Sequence, residues 1–336
     1  MTTGKPFTVL FRVAAGPRVG FGHLVRCRSL ARALGVTPLV SIRGTRPTRD
    51  RAAAMGWTVV GDAFPVPDLM VVDDPVAKSA AAWVARARRL GVPVASIHDL
   101  GLAHVESDLV IDGTIGAHGD LRGPRFAILD PSIAAIRDEN RRPVAGRVLI
   151  ALGGGSHGQA LAGRLSAAIA ARSPQAGVRV VRGFVPTPRS AALRHATWVD
   201  APDGLADELA GAEAAVVAGG VTLYEACALG APVVALPVTA AQHLTVRAAA
   251  CRGAAIDTGR PPVDDCMVSR TADAVAALLQ NAALRRRQSE AGRQLVDGQG
   301  ARRVAERLRQ LIGSAHRLRH DRRDRDAIDQ GKQHAA

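Results

Sequence analysis

Short continuous apolar runs alternate along this chain with stretches whose apolar residues recur at every third and fourth position, and Gly or Pro turns separate the two. That alternation predicts strands and helices in turn, the pattern of parallel α/β architecture. Strands are expected at residues 7–13, 38–42, 69–73, 92–98 and 109–112, whose Val, Ile and Leu content suits strands covered on both faces. Helices are expected at residues 23–34, 47–55 and 77–90. Residues 130–146 break the rhythm with Asp130-Pro131 and the charged run Arg137-Asp138-Glu139-Asn140-Arg141-Arg142-Pro143, and a domain linker is placed there. The alternation restarts at residues 147–152, followed by Gly153-Gly154-Gly155 and a helix to residue 172. Further strands are expected at 178–182, 198–199, 214–218 and 233–237, and further helices at 271–281, 283–295 and 301–312. The reading is an α/β protein of two Rossmann-like domains facing each other, residues 1–135 and 146–312, with a disordered basic tail over 313–336. Ligands of such sheets sit at the carboxyl ends of the strands, so the loops there are the place to look for chemistry.

Length, charge and cysteines narrow this picture. At 336 residues the chain can bury two cores without disulfide or metal staples. Its apolar runs stop short of the roughly 18 residues a membrane-spanning helix needs. The first residues also lack the apolar core of a secretory signal, so a cytoplasmic protein without a transmembrane segment is expected. Cys27, Cys227, Cys251 and Cys266 show no CxxC spacing and read as reduced thiols in or near the cores. The formal charge of +14 favours phosphate-rich ligands. Aromatic residues are only 3%, which leaves few stacking platforms for single-stranded nucleic acid, and the Arg residues of the tail alternate with Asp321, Asp324 and Asp326. Nucleic acid is therefore not the expected partner.

Two segments carry candidate chemistry. The first, Ala14-Ala15-Gly16-Pro17-Arg18-Val19-Gly20-Phe21-Gly22-His23, joins the first strand to the first helix. Gly20 and Gly22 let backbone amides approach an anion, the helix start adds partial positive charge, and Arg18 supplies a cation. A dinucleotide fingerprint fits poorly, because the loop is long and Val25 stands at the third glycine position. The next strand ends in Ser41-Ile42-Arg43 without a ribose-binding acid, and only Arg43 keeps an NADP reading open. His23, at the loop tip, titrates in the range of a general base. The second segment, Ala218-Gly219-Gly220-Val221-Thr222-Leu223-Tyr224-Glu225, ends a buried strand and opens a helix whose free amides suit a diphosphate. Glu225, one turn in, can accept both hydroxyls of a ribose. The pair Asp73-Asp74 invites a metal, but Asp73 ends a buried strand and Asp74 precedes Pro75 in a turn, so neither a metal site nor a cofactor is expected.

These segments resemble the UDP-sugar hydrolases of pseudaminic acid synthesis and the related predicted glycosyltransferases of spore-coat polysaccharide synthesis. The resemblance rests on Gly20-Phe21-Gly22-His23-Leu24-Val25-Arg26-Cys27, Leu69-Met70-Val71-Val72-Asp73, Ser96-Ile97-His98-Asp99 and Asp108-Leu109-Val110-Ile111-Asp112. It continues through Leu149-Ile150-Ala151-Leu152-Gly153-Gly154, the Gly219 to Glu225 stretch and Gln242, collinear over residues 7–256. The resemblance implies the GT-B fold and a metal-independent site between the domains, with UDP on the C-terminal one. Gly219, Gly220, Val221 and Thr222 would then hold the diphosphate and Glu225 the ribose, while Gln242 would lie near the sugar or phosphate. Gly20, Gly22, Arg18, Asp73, Gly153 and Gly154 would border the cleft, and His23 would act on the water or acceptor that attacks the anomeric carbon. Two positions depart from the hydrolase pattern: Asp74-Pro75 stands in place of a His-Tyr pair, and Ala241 in place of the Asn before the Gln.

The expected function is that of a UDP-sugar-dependent glycosyltransferase or hydrolase in polysaccharide or surface-glycan biosynthesis, with a glycan or lipid-linked acceptor where transfer occurs. Two alternatives stand beside it: a hydrolase of a UDP-2,4-diacetamido-2,4,6-trideoxy sugar, and a non-catalytic nucleotide-sugar-binding protein.

Overall fold

The computed structural model describes residues 7–61, 63–99, 104–154, 156–184, 193–201 and 204–333, with side chains omitted for 156–160 and 318–333. Of the residues quoted above, 1–6, Gly155 and 334–336 lie outside that set. The first lobe is a parallel sheet of β1 (Val9–Ala14), β2 (Leu39–Arg43), β3 (Thr58–Val59), β4 (Leu69–Asp73), β5 (Val94–His98), β6 (Leu109–Asp112) and β7 (Leu121–Arg122). Their order is β3-β2-β1-β4-β5-β6-β7. The chain reverses direction across the sheet between β1 and β4, so the loops after these two strands form the switch point where such sheets bind ligands. Helices α1 (Gly22–Leu34), α2 (Arg46–Ala54) and α3 (Ala77–Arg89) make the crossovers.

After a crossing helix, α4 (Ser132–Asp138), the second lobe repeats the plan with β8 (Arg147–Ala151), α5 (Ser156–Arg172), β9 (Gly177–Val181) and β10 (Thr197–Val199). It continues with α6 (Ala206–Ala210), β11 (Ala214–Val217), α7 (Val221–Leu229), β12 (Val233–Ala235), α8 (Ala240–Ala250) and β13 (Ile256–Asp257). This sheet is also parallel, in the order β10-β9-β8-β11-β12-β13, so its switch point lies between the loops after β8 and β11. Three helices close the chain: α9 (Asp265–Gln280), α10 (Ala282–Leu295) and α11 (Gly300–Gln333). Among the described residues no helix is long and apolar enough to cross a membrane.

The boundaries differ from the sequence expectation in three ways. The expected linker is not a bare connection, because Leu129 and Ile133 already pack in the second lobe's core. The closing helix belongs to the first lobe: Ala301, Val304, Ala305, Leu308 and Ile312 join the core built by α1 and β1. Each of the larger residues among these is buried, at about 1.5–3 kcal/mol apiece. The tail beyond Gly313 is helical as far as Gln333 instead of disordered. That segment has no Pro and sets Arg and Asp four apart at Asp321 and Arg325, a spacing that supports helix.

The chain thus passes between lobes twice, near Ala127 and near Gly300, and the two passages touch. A side chain at Gly300 or at Gly113 would run into the main chain of Ala127 from either side. Only glycine permits that approach.

Candidate functional site

A cleft of about 480 Å³ opens between the lobes, in the size range of small-ligand sites. From the first lobe it is lined by the β1–α1 loop, including Arg18, Gly20, Gly22 and His23. From the second it is lined by Gly153 and Gly154 after β8, by Gly220, Val221, Thr222 and Glu225 at the start of α7, and by Gln242 on α8. The sequence-predicted residues therefore converge on one opening, with two exceptions.

The first exception is Asp73, which is wholly buried behind His23 at the end of β4. Its carboxylate is saturated. Oδ1 accepts from His23 Nδ1 at 2.8 Å and from Arg26 Nη2 at 2.5 Å, and Oδ2 accepts from Arg26 Nε at 2.6 Å and from the Cys27 thiol at 3.4 Å. His23, Arg26 and Cys27 share the first two turns of α1, where positions three and four apart lie on one face. Arg26 Nη2 lies 3.1 Å from the same ring nitrogen, and the tautomer follows from the stronger acceptor: an ionised Asp73 requires the proton on Nδ1. This leaves Nε2 as the ring nitrogen with a free lone pair, on a side chain that lines the cleft.

The charges in this cluster set one another. Burial opposes charge on Asp73, but the Arg26 guanidinium, the His23 ring and their hydrogen bonds hold its carboxyl well below the usual carboxylate range. For His23, burial pulls the imidazole down and Arg26 pulls it further, yet the Asp73 charge and hydrogen bond prevail and its pKa is raised above the ordinary 6.5. Burial and the adjoining Asp73 carboxylate push the Cys27 thiol up, so it is inert. Cys227 is likewise buried and pushed up to about 12, whereas Cys251 and Cys266 are exposed, contrary to the expectation that all four lie in or near cores.

The second exception is Gly219. It is set back from the cleft against α8, where any side chain would collide with Val246 and Gln242, and lines a smaller inner chamber. Beyond it, α7 starts at Gly220 in extended conformation, and the first-turn amides of Val221 and Thr222, which no helix can satisfy internally, open on the cleft. Gln242 Oε1 accepts from Val238 N at 2.9 Å, which leaves its amide nitrogen as a donor to the cleft.

Glu225 is buried, and among the described residues no hydrogen bond or ion pair reaches its carboxylate. Burial, with help from the Asp130 charge, pushes its pKa up to about 7.

Asp74 and Arg43 settle each other's roles. Arg43 donates from Nε and Nη2 to the two oxygens of Asp74, both at 2.7 Å, and Asp74 also accepts from Val76 N and the Ser79 hydroxyl at the start of α3. The cation that kept an NADP reading open is thus consumed by a carboxylate, and the acidic pair faces two different guanidinium groups.

Among the residues that sequence reasoning missed are Asp99, Phe184 and Arg51 on the cleft wall and Arg26 behind it. Asp99, at the end of β5, lines the cleft and is tied to Arg26 Nη1 at 2.5 Å. Phe184 of the second lobe packs against Phe21 of the first, ring centroids 5.1 Å apart, with the Arg51 guanidinium 5.4 Å from the Phe184 ring, and all three line the opening. The signal for Arg26 was present in the spacing of His23 and Arg26 on one helix face; nothing local pointed to Phe184 or Arg51.

No protein-family model matches the chain. The spore coat polysaccharide biosynthesis protein SpsG of Bacillus subtilis (strain 168) is 29% identical over 226 residues, covering 61% of this chain and 65% of that protein. The match therefore spans a little under two-thirds of that relative's length. Among solved structures, the spinosyn rhamnosyltransferase SpnG superposes with a TM-score of 0.63 at 16% identity, covering 91% of this chain and 100% of that one. The UDP-GlcNAc 2-epimerase from Neisseria meningitidis, bound to UDP-GlcNAc, superposes with a TM-score of 0.58 at 13% identity, covering 90% of this chain and 99% of that one. At such identities the likeness concerns the fold: this chain has the GT-B arrangement of two Rossmann-like domains facing across a cleft.

Proposed function

We propose that this chain is a nucleotide-sugar enzyme that breaks the bond between an anomeric carbon and a nucleoside diphosphate, and that it acts as a glycosyltransferase in glycan biosynthesis. The observation that carries the reading is the confrontation across one cleft of the His23–Asp73 pair with the open amides at the start of α7. In this reading His23 Nε2 removes the proton from an acceptor hydroxyl while that oxygen attacks the anomeric carbon. The bond to the diphosphate oxygen breaks, and the charge growing on the leaving group is met by the amides of Gly220, Val221 and Thr222 and by Arg18. Asp73 keeps the ring in the required tautomer and stabilises the imidazolium that forms.

Glu225 explains the choice of nucleotide end. A carboxylate without a partner among the described residues, buried one helical turn into α7, is placed to accept the two hydroxyls of a ribose. UDP is the nucleotide this reading favours, on the sequence resemblance and on the epimerase's bound UDP-GlcNAc. A glycan or lipid-linked hydroxyl is the proposed acceptor, and the cytoplasm, where activated sugars are made, the proposed location. Hydrolysis is the second reading, with water in place of the acceptor. Pro75, standing where the hydrolase pattern has a phenol, turns the preference towards transfer. Purified protein given UDP-sugars and candidate acceptors is expected to release UDP, faster with an acceptor than without one. UDP release by His23→Ala at the wild-type rate would defeat the assignment of the base.

A further inference from the structure

Arg26 does more than neutralise Asp73. Its third nitrogen, Nη1, reaches the carboxylate of Asp99, so that His23, Asp73, Arg26 and Asp99 form one hydrogen-bonded chain of charges. The two inner members are buried, and the two ends, His23 and Asp99, both line the cleft. Asp99 also lines the inner chamber, a small space that Gly219, Gly220 and Val221 line as well. Asp99 and Gly220 line both spaces, so a group attached to a phosphate at that turn enters a space that Asp99 also borders. Only Oδ2 of Asp99 is engaged by Arg26, and Oδ1 has no partner among the described residues.

We propose that Asp99 is a second substrate-contacting group, accepting a hydrogen bond from a hydroxyl of the donor sugar, and that Arg26 is the positioning residue that fixes it relative to His23. This rests on the nucleotide-sugar reading above and adds where the sugar is recognised. The chemistry fits a neutral polyol: an ionised carboxylate accepts from hydroxyl groups and repels an acidic sugar. It also fits the proton bookkeeping of the chain. With His23 neutral the four groups carry one net negative charge, and with His23 protonated they carry none, so the proton taken from an acceptor completes a balanced set.

The test separates this inference from the reading it rests on. Calorimetry compares UDP with UDP-glucose, UDP-galactose and UDP-N-acetylglucosamine on the wild-type protein, Asp99→Asn and Arg26→Lys. UDP is expected to bind all three proteins within about twofold. The sugar of at least one donor is expected to add affinity in the wild type, and both variants are expected to lose that increment, about 10- to 100-fold for a charged hydrogen bond. The Lys variant keeps the charge opposite Asp73 but cannot also hold Asp99, so a merely structural role for Arg26 predicts no selective loss. Imidazole NMR of the free protein supplies a second reading: removing the Asp99 charge is expected to lower the His23 titration midpoint. Failure of UDP to bind overturns the nucleotide reading. UDP binding with no sugar increment in the wild type, an increment untouched by Asp99→Asn, or an unmoved His23 midpoint overturns the role of Asp99 and Arg26.

Discussion

The two lobes hold buried carboxylates in opposite states, one behind the cleft wall and one on it. In the first lobe, Asp73 is surrounded by Arg26, His23 and Cys27, and its four hydrogen bonds hold it ionised despite complete burial. In the second, Glu225 is buried with no partner among the described residues, and burial raises its pKa to about 7. A desolvated acid without a donor destabilises the protein that carries it. The first-lobe cluster is thus complete by itself, as the proposed base and its orienting group require, while in the proposed reading the second-lobe carboxylate takes its partners from the ligand. The same contrast holds for the main chain: the β1–α1 loop closes on itself through paired Gly16 and Gly20 hydrogen bonds, whereas the α7 amides open on the cleft.

The largest effect that could break this comparison comes from Asp73. Asp73→Ala leaves Arg26 buried with half its partners gone, and the expected loss is about 3–5 kcal/mol of unfolding free energy by denaturant titration. The linkage sign agrees. The folded pKa of Asp73 is lowered, so its contribution is present above the ordinary 3.8 and is lost as pH falls below it, and the gap between wild type and variant should close in acid. A variant as stable as wild type at pH 7 would mean that the cluster is not preorganised.

Next is His23. His23→Ala is expected to lower kcat by about 10²–10⁴-fold with UDP affinity retained, since in the proposed reading the ring serves the acceptor and not the nucleotide. In the wild type the rate should rise with pH through a midpoint above 6.5, because a raised pKa keeps the ring protonated, and inactive as a base, to higher pH. A pH-rate profile without that acid limb would place the base elsewhere.

How much of this was readable beforehand follows the same division. Runs such as residues 69–73 and 109–112 predicted their strands to the residue, because a strand covered on both faces is a continuous apolar run, closed in each case by one Asp. The two-residue β3, β7 and β13 went unseen; they are too short to carry a period. Helix α11 was assigned to the wrong lobe because a periodic pattern reports an apolar face without naming what it packs on. Within the site, Gly220, Val221, Thr222 and Glu225 were legible as a local strand-turn-helix. The His23–Asp73–Arg26–Asp99 chain was not, because β4 and β5 bring together residues far apart in sequence, and only the strand order makes them neighbours.

Glu225→Gln probes the second lobe. The folded pKa of Glu225 is raised, so its stabilising protonated state is present below 4.5 and is lost as pH rises through about 7. The neutral amide lacks that penalty, and the ligand-free variant is expected to be more stable than wild type by on the order of 3 kcal/mol at pH 8, with the difference vanishing near pH 4.5. UDP binding is expected to weaken about tenfold in the same protein, as a charged acceptor of two hydroxyls becomes a neutral one. Stability gained and affinity lost together would mark a residue held in reserve for a ligand; a stability loss would mean that the carboxylate already has a partner.

The smallest effect asks which part of Thr222 serves the phosphate. Thr222 belongs to the first turn of α7 and lines the cleft, so its hydroxyl and its main-chain amide are the two candidates. If the amide and the helix start supply the binding, Thr222→Val keeps both and removes only a hydroxyl, so UDP affinity should fall by no more than about threefold to tenfold, the worth of one hydrogen bond. Gly220→Pro, which removes one main-chain donor at the same turn, should then cost more than Thr222→Val does. The reverse ranking by calorimetry would transfer the role from the backbone to the side chain. The second lobe would then resemble the first, with specific side chains in place of an open helix end, and the contrast between a finished and an awaiting site would fail at its most exposed point.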